Sequence, residues 1–313
     1  MPWRRLRQLG VMGINERNAD FILPYNPRRY YPLVDDKRLT KALAVEAGIR
    51  VPPLFGIVEI VHQVETLSKM LEPHEDFVVK PAHGAGGEGI LVITGRQGQR
   101  YRQSNGELAS EEDLAHHISN ILGGMYSLGG RPDIALIEYR VKFDPIFEHI
   151  SFQGVPDIRI LVFRGIPVLA MIRLPTRGSD GKANLHQGAI GVGIELSSGR
   201  TFSGVWHERP IEQHPDTGGH LSGRIIPYWD EILSMTAMCH DFAQLGLIGV
   251  DIVLDQDEGP MMLEVNARPG LSIQLANRMG ILPRLRHVEG LAEIPQDIPD
   301  RIQMAKNLAR YIA

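Results

Sequence analysis

The chain has little cysteine, no long apolar run and no excess of charge of one sign. Its 313 residues contain one cysteine, Cys239, which excludes an internal disulfide and fits a reducing compartment. The net charge of −4 gives no sign of nucleic-acid or membrane binding. No apolar stretch approaches the length of a transmembrane span, and the basic start lacks the apolar segment of a signal peptide. We therefore expect a cytoplasmic protein with no membrane span and no nucleic-acid partner.

Glycine and proline are plentiful, with 33 and 21 residues, which indicates many turns. We expect an irregular arm or linker over residues 1–35, two subdomains over 36–134 and 135–290, and a tail helix over 291–313. Within the second subdomain, residues 200–227 are rich in Gly, Pro and His and are expected to form a surface excursion.

Residues 247–270 predict a β-hairpin with acids on one face. Alternation assigns one set to the core face: Ile248, Val250, Ile252, Leu254, then Met261, Leu263 and Val265. The other face of the second strand carries Met262, Glu264 and Asn266, and counting back from the turn sets Asp251 opposite Glu264, to within one residue. Two carboxylates and an amide oxygen are hard ligands suited to Mg²⁺. The alternative, a solvated polar face, is disfavoured because acids are rare amid apolar residues inside a strand.

A glycine-rich segment follows a short predicted strand that ends at Lys80. The segment contains His83, Gly84, Gly86, Gly87 and Gly89. Closely spaced glycines let the backbone approach a polyphosphate and direct N–H groups toward it. A second strand follows instead of a helix, which argues against a Walker loop or a Rossmann fingerprint. The pattern indicates a flexible flap over phosphates, with a plain hairpin turn as the alternative.

Several cations and polar groups are further site candidates. Lys37 lies in the first turn of a predicted helix, where the helix dipole disfavours a cation, so it is either a phosphate ligand or a lysine shielded by neighbouring acids. Arg159 and Arg173 lie near the open ends of a second predicted hairpin, and their forked donors suit carboxylates and phosphates. Structural salt bridges are the alternative for both. In the following polar loop, we assign Asn184 as an oxygen ligand and His186 as a substrate contact, although a loop histidine is often merely solvated.

These pieces, in this order, resemble the ATP-grasp superfamily, and within it the α-L-glutamate ligases that modify the C-terminus of a ribosomal protein, often called RimK-like. The resemblance covers residues 36–275. It is carried by Asp36-Lys37 opening a helix that ends in GIRVP, and by VVKP, LIEY, DIRILV, ANLHQGA, GVDIVL and LEVNARPGL. The arm resembles an α-L-glutamate ligase-like subgroup, and a neighbouring subgroup is associated with sugar-transfer clusters.

The resemblance implies an α+β ATP-grasp fold, with two subdomains clasping ATP beneath the glycine-rich flap. Lys37 and Lys80 would bind ATP phosphates, and Glu138 and Tyr139 would belong to the adenine hinge. The implied metal ligands are Asp251, Glu264 and Asn266, which would hold two Mg²⁺ ions, with Mn²⁺ as a substitute. Arg159, Arg173 and Asn184 would stabilise the transferring phosphate and an acyl phosphate.

The implied activity is that of an ATP-dependent carboxylate–amine ligase. It would activate a small-molecule or peptide carboxylate as an acyl phosphate, form an amide with an amine, and release ADP and phosphate. Amino-acid addition of the glutamate-ligase kind and a homo-oligomeric state are further expectations of the resemblance. Two alternatives stay open: a kinase-like phosphotransferase acting on a hydroxyl or sugar, and a non-catalytic ATP-binding scaffold. Retention of the acids at positions 251 and 264 argues against the scaffold.

Overall fold

The computed structural model describes residues 2–84, 86–127 and 129–308, so residues 309–313 of the predicted tail lie outside the described residues. The α-helices are α1 Pro2–Gln8, α2 Ile14–Glu16, α3 Leu23–Tyr25, α4 Pro32–Asp35, α5 Lys37–Glu46, α6 Leu67–Leu71, α7 Glu111–Leu122, α8 Trp229–Ala243, α9 Ile273–Asn277, α10 Leu282–Glu289 and α11 Ile298–Asn307. The strands are β1 Leu54–Val58, β2 Phe77–Pro81, β3 Leu91–Gln97, β4 Arg100–Gln103, β5 Leu108–Ala109, β6 Ala135–Glu138, β7 Asp157–Phe163, β8 Ile166–Leu174, β9 Ile190–Ile194, β10 Thr201–Trp206, β11 Arg209–Ile211, β12 Leu247–Asp255 and β13 Gly259–Asn266. A π-helix covers Arg17–Ile22, and short 3-10 helices cover Arg28–Tyr30, Val61–Thr66, Pro145–Phe147 and Leu185–Gln187.

The described residues form two compact units. Unit 1 comprises residues 2–35, 39–51 and 142–308, and unit 2 comprises residues 36–38 and 52–141 with the gaps given above. These units do not follow the boundaries expected from the sequence, because residues 1–35 were expected to be an arm apart from either subdomain. None of the described helices is both long and apolar enough to cross a membrane.

Unit 2 is built on a six-stranded antiparallel sheet with the order β1-β6-β2-β3-β4-β5. Helix α7 is capped by Ser110, whose hydroxyl accepts from the backbone N–H of Asp113 while the Asp113 carboxylate accepts from the Ser110 N–H. This reciprocal cap satisfies two backbone donors that a helix start would otherwise leave unpaired. The apolar face of α7 and the sheet share one core, which includes Phe77, Val79 and Ile118.

Unit 1 is built on a seven-stranded antiparallel sheet with the order β11-β10-β9-β8-β7-β12-β13. The sheet is buried on both faces, and alternate residues of one strand enter different cores. On β7, Ile158 and Ile160 belong to a core shared with α8, whereas Leu161 and Phe163 belong to a core shared with α10. A strand covered on both sides explains why β7, β8 and β12 read as nearly continuous apolar runs.

Two segments expected to be peripheral are packed parts of unit 1. Residues 200–227 form a surface excursion only in part: β10 and β11 extend the sheet and Leu221 and Ile226 are buried, whereas residues 207–210 and 215–218 are exposed. The predicted arm contributes Phe21 and Ile22 to the second core. Glycine, proline and basic content had indicated loops, but apolar residues separated by turns are sufficient for short buried elements.

The predicted hairpin is formed by β12 and β13, and its register is confirmed: Asp251 lies opposite Glu264. The assignment of Met262 to the acidic face is wrong. A β-bulge shifts the register so that Ile252 pairs with Met262, which leaves Leu263 as the extra residue. Met262 therefore packs in the same core as Ile252, and Val265 follows it there. Strict alternation cannot anticipate an inserted residue.

Candidate active site

Two arginines and two aspartates form a connected cluster in unit 1, in which Arg159 is partly buried and Arg173, Asp157 and Asp251 are buried. Arg159 donates from Nε to Asp251 Oδ1 at 2.7 Å and from Nη2 to Asp251 Oδ2. Arg173 donates from Nε and Nη2 to the two oxygens of Asp157, and from Nη2 to Asp251 Oδ2 at 2.8 Å. The sheet aligns these residues, because Asp251 pairs with Arg159 and Asp157 pairs with Arg173 across adjacent strands. Paired forks of this kind fix the side chains in position.

Glu264 and Asn266 extend the cluster toward solvent. The Asn266 amide donates to Glu264 Oε1 at 3.2 Å and to Asp251 Oδ2 at 3.5 Å, and Arg159 Nη2 lies 3.8 Å from Glu264 Oε1. The Glu264 side chain is 37% exposed, whereas that of Asp251 is 2% exposed. The structure thus brings together the three residues predicted to bind metal and the two predicted arginines.

Burial and neighbouring charges shift the pKa values of the two aspartates of the cluster in opposite directions. Burial opposes ionisation of Asp251, but Arg159 and Arg173 outweigh it and hold the pKa of Asp251 well below its usual range. Burial raises the pKa of Asp157 to about 6, despite the opposing attraction of Arg173, and the negative charge of Asp251 adds to the rise. The pKa values of both arginines are raised, because their acidic partners outweigh burial. One proton can therefore be taken up here near pH 6.

Asn184 and His186, the two site residues predicted in the polar loop after β8, do not belong to this cluster. Asn184 precedes the 3-10 turn Leu185–Gln187, and its side-chain oxygen accepts from the His186 N–H at 3.0 Å. His186 is exposed. Within the described residues, neither side chain takes part in the ion pairs or hydrogen bonds of the arginine–aspartate cluster.

In unit 2, the lysine that ends the predicted strand is paired with an acid. Lys80 on β2 forms a salt bridge with Glu138 on β6, and both side chains are at least nine-tenths buried. The residue after Glu138, Tyr139, donates its N–H to the Pro53 carbonyl at 2.9 Å. The two residues assigned to the adenine hinge thus lie at the end of β6, the strand that pairs with the Lys80-bearing strand β2.

The glycine-rich segment lies between β2 and β3, as predicted, and its base is tied by side chains. The Lys37 ammonium donates to the Gly84 carbonyl at 2.6 Å and to the Ala82 carbonyl at 3.4 Å. The fully buried Asp133 carboxylate accepts from the His83 N–H at 3.1 Å and contacts His83 Nδ1 at 2.7 Å. The start of the loop is therefore held in place by charged groups.

Backbone conformation accounts for the glycines at the far end of this loop. Gly86, Gly87 and Gly89 have positive φ angles of 68°, 81° and 72°, which L-residues rarely adopt. A Cβ on Gly89 would lie 2.5 Å from the Tyr126 ring. The Gly89 carbonyl also lies 3.0 Å from His117 Nε2. Burial lowers the pKa of His117, so its neutral form is favoured.

Sequence reasoning missed two acids that hold predicted site residues. Asp157 precedes Arg159 by two residues on one strand, so the period of two could have assigned both to the same face. Asp133 lies in a loop far along the chain from His83, and no local pattern signals that contact. Among the described residues, no group of three or more His, Cys, Asp or Glu side chains could hold a metal ion. The set Asp251, Glu264 and Asn266 offers two carboxylates and one amide.

A model of the family described as sugar-transfer associated ATP-grasp matches residues 16–290. The chain belongs to this family. The match spans most of the chain, and it confirms the predicted ATP-grasp fold. The endospore coat-associated protein YheD of Bacillus subtilis is 22% identical over 252 residues, which are 80% of this chain and 50% of that protein.

Solved structures with a similar fold include one ligase and two synthetases. For the ATP-grasp ligase PsnB with a minimal precursor, identity is 16%, the TM-score is 0.45, and coverage is 83% of this chain and 60% of that chain. For the D-cycloserine synthetase DcsG, the values are 16%, 0.46, 90% and 73%. For D-alanyl-alanine synthetase A from Vibrio cholerae, they are 12%, 0.49, 88% and 66%. The chain thus spans half of YheD and three-fifths of PsnB.

Proposed function

We propose that the chain is an ATP-dependent carboxylate–amine ligase. The observation that carries the proposal is the arginine–aspartate cluster beside Glu264 and Asn266, in a chain of an ATP-grasp family. Such a ligase must bind ATP, neutralise phosphate charge and hold a phosphorylated acyl group. The described residues offer a candidate for each task.

Arg159 and Arg173 are the candidates for contact with the transferring phosphate. Each uses Nε and Nη2 to bind aspartate, and Nη1 of each has no hydrogen-bond partner among the described residues. A guanidinium held on one edge presents its remaining donors in a fixed direction, which suits an oxyanion that develops during reaction. Because both side chains are largely buried, their charge acts with less screening by water than on an open surface.

The donor chemistry beside these arginines fits a divalent cation. Two arginines face three acids, Asp157, Asp251 and Glu264, so the ionised cluster has a net charge of −1. Its carboxylates supply hard oxygens, as Mg²⁺ requires. The Asn266 amide, whose N–H group donates to both carboxylates in this structure, would bind a metal through its oxygen. We assign Asp251, Glu264 and Asn266 to the metal, with Glu264 as the more accessible carboxylate. When bound, Mg²⁺ or Mn²⁺ would neutralise charge on the phosphates.

Unit 2 carries the residues that we assign to ATP. The Lys37 and Lys80 ammonium groups are candidates for phosphate contacts, and the positive-φ glycines let backbone N–H groups face a polyphosphate. Glu138 and Tyr139 are assigned to the adenine hinge. Lys80 is already neutralised by Glu138, so its full effect on a phosphate requires that this salt bridge is shared or exchanged.

The chemistry proceeds in two displacements. An oxygen of the substrate carboxylate forms a bond to the γ-phosphorus while the bond to the β-phosphate oxygen breaks, which yields an acyl phosphate and ADP. The amine then attacks the acyl carbon, phosphate leaves, and the amine loses one proton to give the amide. We assign the two arginines to hold the phosphate in the first step and the developing oxyanion in the second.

Finer assignments rest on the resemblance alone. A glutamate donor of the RimK-like kind, amino-acid addition, two metal ions and a homo-oligomer belong to this group, whereas the proposed cytoplasmic location rests on the composition of the sequence. Because the matching family is described by an association with sugar transfer, the test includes acids beyond amino acids.

An ADP-release screen tests the proposal. The full chain with Mg²⁺ and ATP is offered amino acids, short peptides and other carboxylates, each with and without amines, and products are identified by mass spectrometry. Phosphate released only when an amine is present, with an amide product, supports the ligase. A stable phosphorylated hydroxyl product indicates the kinase instead, and nucleotide binding without turnover on any substrate indicates the scaffold. The variant Glu264→Gln is the control for turnover by contaminants.

A further inference from the structure

The N-terminal segment of unit 1 is fixed to the end of the acidic hairpin by one buried asparagine. The Asn26 amide donates to the Leu247 carbonyl at 2.7 Å and to the Ala267 carbonyl at 2.8 Å, and its oxygen accepts from the Leu247 N–H at 2.9 Å. Asn26 is 3% exposed. Since all of these bonds are buried, the segment holds a defined position against the residues that follow Asn266.

This attachment brings two arginines together. Arg17 donates from Nη1 to the Pro269 carbonyl at 2.8 Å, and its Nε and Nη2 donate to Asn18 Oδ1 at 3.1 and 2.9 Å. Arg268, the residue before that proline, lies with its guanidinium carbon 5.0 Å from the centre of the Tyr31 ring. Among the described residues, neither guanidinium forms an ion pair with a carboxylate. The charges are thus assembled without compensation.

Two further features indicate that this arrangement is imposed by the fold. Burial lowers the pKa of Arg17, and the positive charge of Arg268 lowers it further, so the two cations repel each other. Arg17 also begins the π-helix Arg17–Ile22. Such π-helical turns are rare and occur often at functional sites. Two like charges held close together repel each other. An anion bound between them relieves this repulsion and accepts charge-assisted hydrogen bonds from both.

We propose that Arg17, Arg268 and Tyr31 form an oxyanion-binding site for a phosphate or carboxylate group of the substrate, separate from the carboxylate that reacts. Arg268 lies two residues beyond Asn266, so the site adjoins the proposed reaction centre in the chain. The Tyr31 ring supports the Arg268 guanidinium, and the Tyr31 hydroxyl is a third donor. Identification of the ligand as a substrate rests on the proposed function, whereas anion binding itself does not.

The substrate class follows from this chemistry. Two forked cations and a phenol suit a group with several acceptor oxygens, such as a phosphate monoester or a second carboxylate. Simple monocarboxylic acids lack such a group. We therefore expect the acid or the amine substrate to carry an additional anionic group.

Equilibrium titration of the full chain with inorganic phosphate tests the site, with succinate as the carboxylate probe. Calorimetry is carried out with and without saturating ADP and Mg²⁺, so that binding at a nucleotide site is recognised. The test variants are Arg17→Gln, Arg268→Gln and Tyr31→Phe. The matched control is Arg209→Gln, which removes one exposed arginine of unit 1. Because the Arg268 side chain makes no hydrogen bond among the described residues, Arg268→Gln should leave the fold intact.

We expect Arg17→Gln and Arg268→Gln to weaken binding of the preferred probe by about tenfold or more, the usual effect of one charge-assisted contact. Arg209→Gln should bind as the wild type does, and ADP should not compete. A preference for phosphate or for succinate identifies the anionic group. Binding that survives in both arginine variants, binding displaced by ADP, or no binding of either probe would overturn the site. The titration measures binding and needs no turnover, so it can be interpreted even if the ligase assay shows no activity.

Discussion

Glu264 is the residue at which the proposed metal role is easiest to separate from folding. It is 37% exposed, whereas its partner across the strands, Asp251, is buried beneath two arginines. Replacing Asp251 would remove the carboxylate that Arg159 binds through two donors and would destabilise the protein for reasons unrelated to catalysis. A change at Glu264 removes one carboxylate from the accessible side of the cluster.

We predict that Glu264→Gln lowers kcat by roughly a hundredfold or more at saturating Mg²⁺, because one ligand of a charge-neutralising metal is lost. The glutamine side chain still offers an oxygen that can accept from the Asn266 amide, so the melting temperature should change little. Glu258→Gln, in the turn of the same hairpin, removes an equal charge at an exposed position and is the control. Kinetics against Mg²⁺ concentration decide the matter: near-wild-type turnover of Glu264→Gln would exclude it as a metal ligand.

Asp157 makes the stability of the protein depend on pH in an unusual direction. Its pKa is raised to about 6, whereas an aspartate in an unfolded chain titrates near 4. The folded state therefore binds the proton more tightly, and its stabilisation by this group falls as pH rises from about 4 to about 6. We predict that the free energy of unfolding of the wild type, minus that of Asp157→Asn, decreases across this range and levels off above it.

Urea unfolding in the absence of divalent metal, at several values of pH across that window, provides the measurement. Asp257→Asn, in the exposed turn of the hairpin, is the control for removal of one acidic group. A difference that instead rises with pH would mean that Arg173 dominates and that Asp157 is ionised throughout.

The site residues show what local sequence can and cannot reveal. The pairing of Asp251 with Glu264 was predictable, because a strand has a fixed period and a turn fixes the register. The bonds from Asp251 to both arginines were not, because they join strands whose order in the sheet no short pattern encodes. His83 was selected for a neighbouring glycine cluster, yet its closest partner is Asp133, 50 residues along the chain.

At the level of elements, the glycine-rich loop depends on conformations that only glycine adopts readily. We predict that Gly89→Ala costs more stability than Gly98→Ala. Both glycines have positive φ, but a Cβ meets the Tyr126 ring at 2.5 Å in the first case and nothing within 4 Å in the second. Gly98→Ala should cost about 1 kcal/mol from backbone strain, and Gly89→Ala about 1–3 kcal/mol more from overpacking.

Chemical denaturation of the two variants measures this difference, with the Michaelis constant for ATP as a second reading. Equal costs would mean that the Tyr126 ring moves aside freely. A larger Michaelis constant for Gly89→Ala alone would link this end of the loop to nucleotide binding.

Elements were predicted well where apolar periodicity was strong and poorly where composition replaced it. Strands β12 and β13 form the hairpin expected in residues 247–270, and β7 and β8 form the second expected hairpin, because long apolar patterns leave few alternatives. Residues 200–227 and 1–35 were judged from their glycine, proline and basic content, and the structure folds both into unit 1. The structure of these two segments depends on packing of their apolar side chains against parts of unit 1 that are distant in the sequence.

At the level of the whole molecule, each unit has a core of its own, so we predict separate unfolding transitions. All three tryptophans lie outside residues 52–141, and their fluorescence therefore reports on unit 1. Phe77→Ala should destabilise unit 2 by about 3–5 kcal/mol, because Phe77 is fully buried there. It should shift a transition seen by circular dichroism but not the tryptophan transition. Phe163→Ala, equally buried in unit 1, should shift the tryptophan transition, and a common shift in both variants would contradict independent units.

The bulge at Leu263 means that β13 carries one residue more than its partner strand can accommodate. In a regular strand, loss of a residue turns every following side chain to the opposite side. Here the reverse holds: without Leu263, Met262 still pairs with Ile252 and the next residue, Glu264, still pairs with Asp251. Deletion of the bulged residue therefore conserves the strand pairing of the hairpin, whereas deletion of a paired residue would shift the pairing of the residues beyond it. Length variation at this point should leave the acidic face in place.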